Sequence, residues 1–172
     1  IETKGCFSLA KAFNIIADKY PNAQLVFVGG GEQDNLKEII NIKYHHRVKF
    51  LGYCNREELT DTIDHCSFVC IPSYFENFSM VVLEVMARGK AIIFTERTSG
   101  KEIISDGYNG YTVNPEDEYE IATKLELLIR DVELRKRLAK NAYVTIEKSY
   151  KASVIVEQLE LKYKQLIKPV CE

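Results

Sequence analysis

No apolar run in this sequence approaches the roughly 20 residues that a membrane-spanning helix needs, and no signal-peptide pattern is present. An excess of one charge is missing as well. The 23 Lys and Arg against 25 Asp and Glu leave a formal net charge of -2. The basic residues are scattered among acids, and the ten Tyr and eight Phe do not interleave with a basic stripe. A broad electrostatic case for nucleic acid or anionic lipid is thereby removed. Cys6, Cys54, Cys66, Cys70 and Cys171 are odd in number and show no C-x-x-C or Cys/His pair at zinc spacing. Reduced thiols in a cytoplasmic protein are expected, rather than a disulfide framework or a metal site. Internal repeats, low-complexity tracts and flexible linkers are absent too.

What is present fits one ordinary globular domain: 172 residues, 46% hydrophobic and 28% charged. Lys4 to Tyr20 places Phe7, Ala10, Phe13, Ile16 and Ala17 on one helical face. Leu25 to Val28 reads as a strand buried on both faces, ending in Gly29-Gly30-Gly31, and Glu32 to Ile42 as a charged helix. The alternation continues with strands at Val48–Leu51, Phe68–Ile71, Ala91–Phe94 and Tyr111–Val113. Helices are expected at Arg56–His65, Ser79–Arg88 and Lys101–Ser105 between them, then at Glu118–Ile129, Val132–Lys148 and Ala152–Ile167. Apolar strands without polar alternation, separated by helices, predict a doubly wound, mainly parallel α/β sheet of about five strands with helices on both faces.

In such folds ligands bind outside the carboxyl ends of the strands. Three glycines follow the first strand, Gly52-Tyr53-Cys54 the second and Pro72-Ser73-Tyr74-Phe75-Glu76 the third. The triple glycine lacks the third, helix-packing glycine of a dinucleotide fingerprint, and no G-x-x-x-x-G-K-[ST] loop occurs. The helix from Ser79 is apolar around nearly its whole circumference and should be buried, with Glu84 its only acid. A buried carboxylate needs a partner. Arg88 at i+4 could supply an ion pair of about 0.2 to 0.5 kcal/mol, or a ligand's hydroxyls could meet it. Ser79 is a natural N-cap with free N–H groups beyond it, a site for an anionic phosphate. Glu76, just before that helix, is either an exposed loop acid or a group addressing a polyhydroxyl ligand. Lys4 stands at a helix start, where the macrodipole disfavours a cation. A bound phosphate would offset that, and simple solvation would serve equally. The adjacent His45 and His46 read as solvent-facing turn residues.

Pro72-Ser73-Tyr74-Phe75-Glu76-Asn77-Phe78-Ser79-Met80-Val81-Val82-Leu83-Glu84 through Gly89 resembles the E-x7-E signature of glycosyltransferase family 4, which groups retaining enzymes of GT-B fold. Thr3-Lys4-Gly5, Val28 to Gly31, Val48 to Gly52, and Glu102-Ile103-Ile104 through Asp106-Gly107-Tyr108-Asn109-Gly110 match the family in order and spacing. The resemblance covers essentially the whole chain but only the second, donor-binding domain of the family's two. It implies that Glu84 holds the ribose hydroxyls of a nucleoside diphosphate sugar and that Glu76 contacts the transferred sugar. It implies that Lys4 stabilises the leaving diphosphate, and that Asn77, Phe78, Ser79 and Met80 approach sugar and phosphate. Gly30 and Gly31 would line the donor site, and Gly52, Tyr53 and Cys54 would recognise the base. No metal or resident cofactor is implied. Where the family usually has glycines around Phe78, this chain has Asn77 and Ser79, which narrows the space beside the sugar. Thr98-Ser99-Gly100-Lys101 replaces a Gly/Pro-rich turn.

The resemblance also places an arginine and a central first strand ahead of the K-G motif. Since the chain starts at Ile1, five strands with a gap, closure or borrowed strand at the centre are expected. Residues 1–150 would form the nucleotide-sugar domain, and residues 151–172 a helix returning to an acceptor-binding domain that takes a glycan or lipid-linked sugar. That helix carries Ile155, Leu159, Tyr163 and Leu166 as one stripe, a candidate dimer contact. The parent protein is expected in the cytoplasm, with peripheral association at the inner face of a membrane open to it. The alternatives are a non-catalytic nucleotide or nucleotide-sugar binding module and a GT-B epimerase. A phosphorylase would need a pyridoxal lysine that no motif suggests.

Overall fold

The computed structural model describes residues 2–31, 33–97 and 100–167. Strands and helices alternate as α1 (Cys6–Ile16), β1 (Leu25–Phe27), α2 (Gln33–Ile39), β2 (Val48–Phe50), α3 (Arg56–His65), β3 (Phe68–Ile71) and α4 (Met80–Ala87). They continue as β4 (Ala91–Thr95), the single turn α5 (Gly100–Ile103) and β5 (Tyr111–Val113). The chain then stays helical through α6 (Glu118–Arg130), α7 (Val132–Thr145), a π-turn (Ile146–Tyr150) and α8 (Ala152–Leu166). Every strand pairing is parallel, as continuous apolar strands joined by helices require. The five strands do not form one sheet, however. Among the described residues β1 pairs only with β2, while β3, β4 and β5 make a second sheet in that order. The expected discontinuity falls between the first two strands and the last three.

Helix α1 packs against both sheets. Its Leu9, Ala12 and Ile16 join Ile93, Val113 and Leu125, with Phe68 and Cys70 of β3 alongside. Its Ala10, Phe13 and Ala17 face Leu36, Ile40 and Tyr44 over Leu25 and Phe27. On the other face of the larger sheet, Val82, Val85 and Met86 of α4 close over Ile92 and Phe94 with Ala142 of α7. All five residues of β4 are therefore buried, each large side chain contributing about 1.5–3 kcal/mol.

Two expectations need correction. β1 is not buried on both faces: Leu25 and Phe27 pack under α1 and α2, but Val26 is 38% exposed because no described element covers the other side. Nor is α4 buried all round. Met80 and Val81 at its first turn lie in the open beyond the sheet edge.

Buried Arg47 carries structural weight that the sequence did not advertise. Its guanidinium donates to the Ala17 and Tyr20 carbonyls at 2.9 Å each, past the end of α1, and lies near the rings of Phe13 and Tyr44. His45 is exposed as expected, yet its Nε2 sits 2.9 Å from the Ile40 carbonyl and 3.0 Å from that of Lys37, closing the end of α2.

Candidate functional site at the carboxyl edge of the strands

The first loop that matters begins with Gly5, which stands just ahead of α1 at φ 69°. An added Cβ there would come within 1.8 Å of the Pro72 carbonyl oxygen, so only glycine lets the start of α1 meet the end of β3 this closely. The contact is stitched by the Tyr74 amide, which donates to the Thr3 carbonyl at 2.9 Å. Lys4 is thereby carried onto the loop after β3, where its Nζ lies 2.7 Å from Glu76 Oε2. The lysine side chain is 53% exposed and the glutamate only 14%. The structure thus joins two expected site residues that stand 72 positions apart in the chain.

Glu76 leads into α4. Ser79 occupies the N-cap position but its side chain makes no capping bond, contrary to the usual use of serine there. Gly89 ends the helix at φ 62°, the left-handed conformation that glycine favours just past a helix end. The proposed partner of Glu84 is not its partner. Arg88 turns away to α3, where its Nε donates to Asp64 Oδ1 at 2.5 Å and a second N–H reaches Oδ2. This hydrogen bond holds the Asp64 carboxyl below its ordinary range and the arginine above its own. The half-buried Glu84 carboxylate consequently has no hydrogen bond or ion pair among the described residues. The geometric reason is angular, since a bidentate pair with Asp64 on the neighbouring helix outcompetes a single-point i,i+4 contact.

The glycines after β1 and β2 close those strands against each other, with the Gly29 amide donating to the Gly52 carbonyl at 2.7 Å. Gly29, Gly31 and Gly52 adopt positive φ. A cleft of about 90 Å³ opens here, walled by Lys4, Cys6, Gly30, Gln33 and the paired rings of Phe27 and Phe50. Lys4 and Gly30, both expected at the site, share that cleft. Tyr53 does not join it and is 86% exposed, while Cys54 is a half-buried free thiol. Asn77 and Phe78 on the loop and Met80 at the start of α4 are exposed, and the Phe78 ring lies 6.4 Å from that of Tyr150. Cys6 and Gln33 went unnoticed in the sequence, because nothing in it signals which side chains line a cleft. Burial raises the Cys6 thiol above its ordinary pKa, and that of Cys70 further.

Asn109 of the Asp106–Gly110 turn proves to be a structural residue. Its side chain accepts from the Ser105 amide at 2.8 Å and donates to the Ile103 carbonyl and Thr145 hydroxyl at 3.2 Å each. Thr98 and Ser99 of the unusual turn, and Cys171, lie outside the described residues. Among the described residues no group of three or more His, Cys, Asp or Glu side chains is placed to hold a metal ion, and no helix is long and apolar enough to cross a membrane.

The profile of the family described as glycosyl transferases group 1 matches residues 1–145. The chain belongs to this family. A Campylobacter jejuni relative, N,N'-diacetylbacillosaminyl-diphospho-undecaprenol alpha-1,3-N-acetylgalactosaminyltransferase, is 29% identical over 167 residues, or 97% of this chain and 43% of that protein. The crystal structure of the C-terminal domain of a glycosyl transferase group 1 family protein (LpcC) from Francisella tularensis superposes with a TM-score of 0.78 at 30% identity. That match covers 88% of this chain and 82% of the domain. The Anabaena protein HepE, solved in complex with UDP-glucose, matches with a TM-score of 0.80 at 26% identity, covering 96% of this chain and 46% of that one. This glycosyl transferases group 1 chain thus spans less than half the length of the curated relatives it matches.

Proposed function

We propose that this chain is the donor-binding, C-terminal domain of a retaining family 4 glycosyltransferase of GT-B fold. Residues 1–150 would take a nucleoside diphosphate sugar, and residues 151–172 would run back to a second domain that presents a glycan or lipid-linked sugar as acceptor. The observation that carries this reading is Glu84: Arg88 is engaged by Asp64, so a half-buried carboxylate is left with its acceptor oxygens uncommitted among the described residues. A pair of vicinal ribose hydroxyls suits such a carboxylate, because charge-assisted hydrogen bonds to it are about twice as strong as neutral ones. The neighbours solved as a C-terminal group 1 domain and with UDP-glucose support the same reading.

The roles of the other groups follow from their chemistry. As the bond between the sugar's anomeric carbon and the diphosphate breaks, negative charge grows on the leaving phosphate oxygen. The ammonium of Lys4 has three donors. It can keep one on Glu76 while offering another to that oxygen, which places positive charge where the transition state needs it. Glu76 accepts from hydroxyls of the transferred sugar. The backbone of Asn77, Phe78, Ser79 and Met80 approaches sugar and phosphate, Gly30 and Gly31 let the donor come close, and Gly52, Tyr53 and Cys54 face the base. The sugar donor is the substrate, and the proposed reaction uses no resident cofactor or metal.

Calorimetric titration of the folded chain with UDP, GDP and ADP tests this. One of them should bind, and Glu84→Gln should weaken it by about tenfold to a hundredfold without lowering the unfolding midpoint. A folded sample that binds none of the three contradicts the reading. Binding unaffected by Glu84→Gln leaves the chain a nucleotide-binding module of another design.

A further inference from the structure

The start of α1 and the loop after β3 meet through two side-chain rungs. One is the Lys4–Glu76 pair at 2.7 Å. The other joins the hydroxyls of Ser8 and Tyr74 at 2.9 Å, with Ser8 only 5% exposed. Ser8 follows Lys4 by four residues, across Gly5, and Tyr74 precedes Glu76 by two, so each segment supplies one member of each rung. The two rungs differ in what they can fix. A lysine ammonium is a point charge on a flexible four-carbon stem and sets little geometry by itself. A hydroxyl pair with one member buried is directional and costs more to break than an exposed ion pair. Tyr74 is also held independently of its hydroxyl. The Arg97 guanidinium lies 5.5 Å from the centre of its ring and is itself paired with Glu116 at 3.0 Å. The ring is thus anchored from one side, and its hydroxyl grips α1 on the other.

We propose that Tyr74 is a positioning residue for Lys4: by bonding Ser8 it sets the helix start so that the ammonium meets Glu76 and, when a donor binds, the diphosphate. The part of this role that concerns the diphosphate rests on the donor-site reading above. The part that concerns the placement of Lys4 does not, and the two are measured separately.

In the chain without nucleotide, NMR relaxation of the Lys4 Cε–Hε group, assigned with Lys4→Ala, should show an ordered side chain by comparison with exposed Lys11. Tyr74→Phe keeps the ring against Arg97 and removes only the hydroxyl, so the order at Lys4 should be lost while the unfolding midpoint changes little. Ser8→Ala should reproduce that loss, and the double variant should add nothing to either single one. Unchanged order at Lys4 in Tyr74→Phe overturns the proposal, whatever nucleotides do. Additive losses in the double variant overturn it too, since they would mean that the two hydroxyls act independently.

Titration with UDP and with uridine then reads the functional half. Tyr74→Phe should weaken UDP about fivefold, the size of one lost neutral hydrogen bond, and leave uridine unaffected. In a Lys4→Ala background it should have no further effect on UDP. Equal losses for UDP and uridine, or full additivity with Lys4→Ala, would show a general structural role and overturn the proposed one. If the wild-type chain binds no nucleoside diphosphate, the donor-site reading fails, and the order of Lys4 alone decides whether Tyr74 positions it.

Discussion

Gly5 shows how a single atom can hold a site together. At φ 69° and with the Pro72 carbonyl where a Cβ would stand, it is the residue that lets Lys4 reach Glu76. Gly5→Ala should therefore destabilise the chain by at least about 1–3 kcal/mol from backbone strain alone, a clear drop in the denaturant midpoint. Ser73 nearby has the opposite character. It is fully buried and its hydroxyl has no hydrogen-bond partner among the described residues. Since an unsatisfied buried hydroxyl costs about 1–3 kcal/mol, Ser73→Ala should leave stability unchanged or raise it by about 1 kcal/mol in chemical denaturation. A marked loss of stability in that variant would show that the hydroxyl is engaged in solution. The two site glutamates separate at this scale as well. Glu76 is closed onto Lys4, while the Glu84 carboxylate has no polar partner among the described residues.

At the scale of elements, the pairing of α4 with α3 decides what α4 can do. Arg88 bonds Asp64 in bidentate fashion, and the Lys90 ammonium adds contacts to the Asp64 carbonyl at 2.5 Å and the Cys66 carbonyl at 3.1 Å. The Asp64 carboxyl is held below its ordinary value, so the pair adds stability above about pH 4. That contribution is lost as pH falls through the depressed value. Asp64→Asn should thus be less stable than the wild type at neutral pH, with the gap closing as the solution is acidified below about pH 4. Both side chains are more than a third exposed, taken together with their solvent screening, so the gap should be small and shrink further in high salt. Urea midpoints measured across pH with and without salt check both trends. None of this was visible in the sequence, where Arg88 is nearer to Glu84 than to Asp64; the crossing of two helices brings the more distant acid closer.

For the whole molecule, stability is distributed unevenly because the sheet is divided. β4 is buried along its length and paired on both sides, whereas among the described residues β1 and β2 pair only with each other and leave one face open. Hydrogen exchange should find the slowest amides in β4 and markedly faster ones in β1 and β2, reporting local opening of the smaller sheet. Uniform protection across the five strands would contradict this. Helix α8 has no buried residue, and its Ile155, Leu159, Tyr163 and Leu166 stand exposed together with Val156 and Leu161. Removing residues 152–172 should leave the unfolding midpoint essentially unchanged and abolish any concentration-dependent association seen by light scattering, since an exposed apolar surface of this kind drives contact with other surfaces.

The sequence by itself determined the class of fold and the order of its elements. Apolar strands such as Phe68-Val69-Cys70-Ile71, and helical patterns such as Arg56–His65, carry local signals that survive without knowledge of the rest of the chain. It also determined that Glu76 falls in the loop after the third strand, at the carboxyl edge of the sheet. Only the tertiary structure decided how the site residues are paired: that Lys4 meets Glu76, that Arg88 leaves Glu84 for Asp64, that Tyr74 holds Ser8, and that the strands form two sheets. Periodicity and capping act over a few residues, whereas these choices depend on distances between segments 24 to 72 residues apart, which chain packing alone sets.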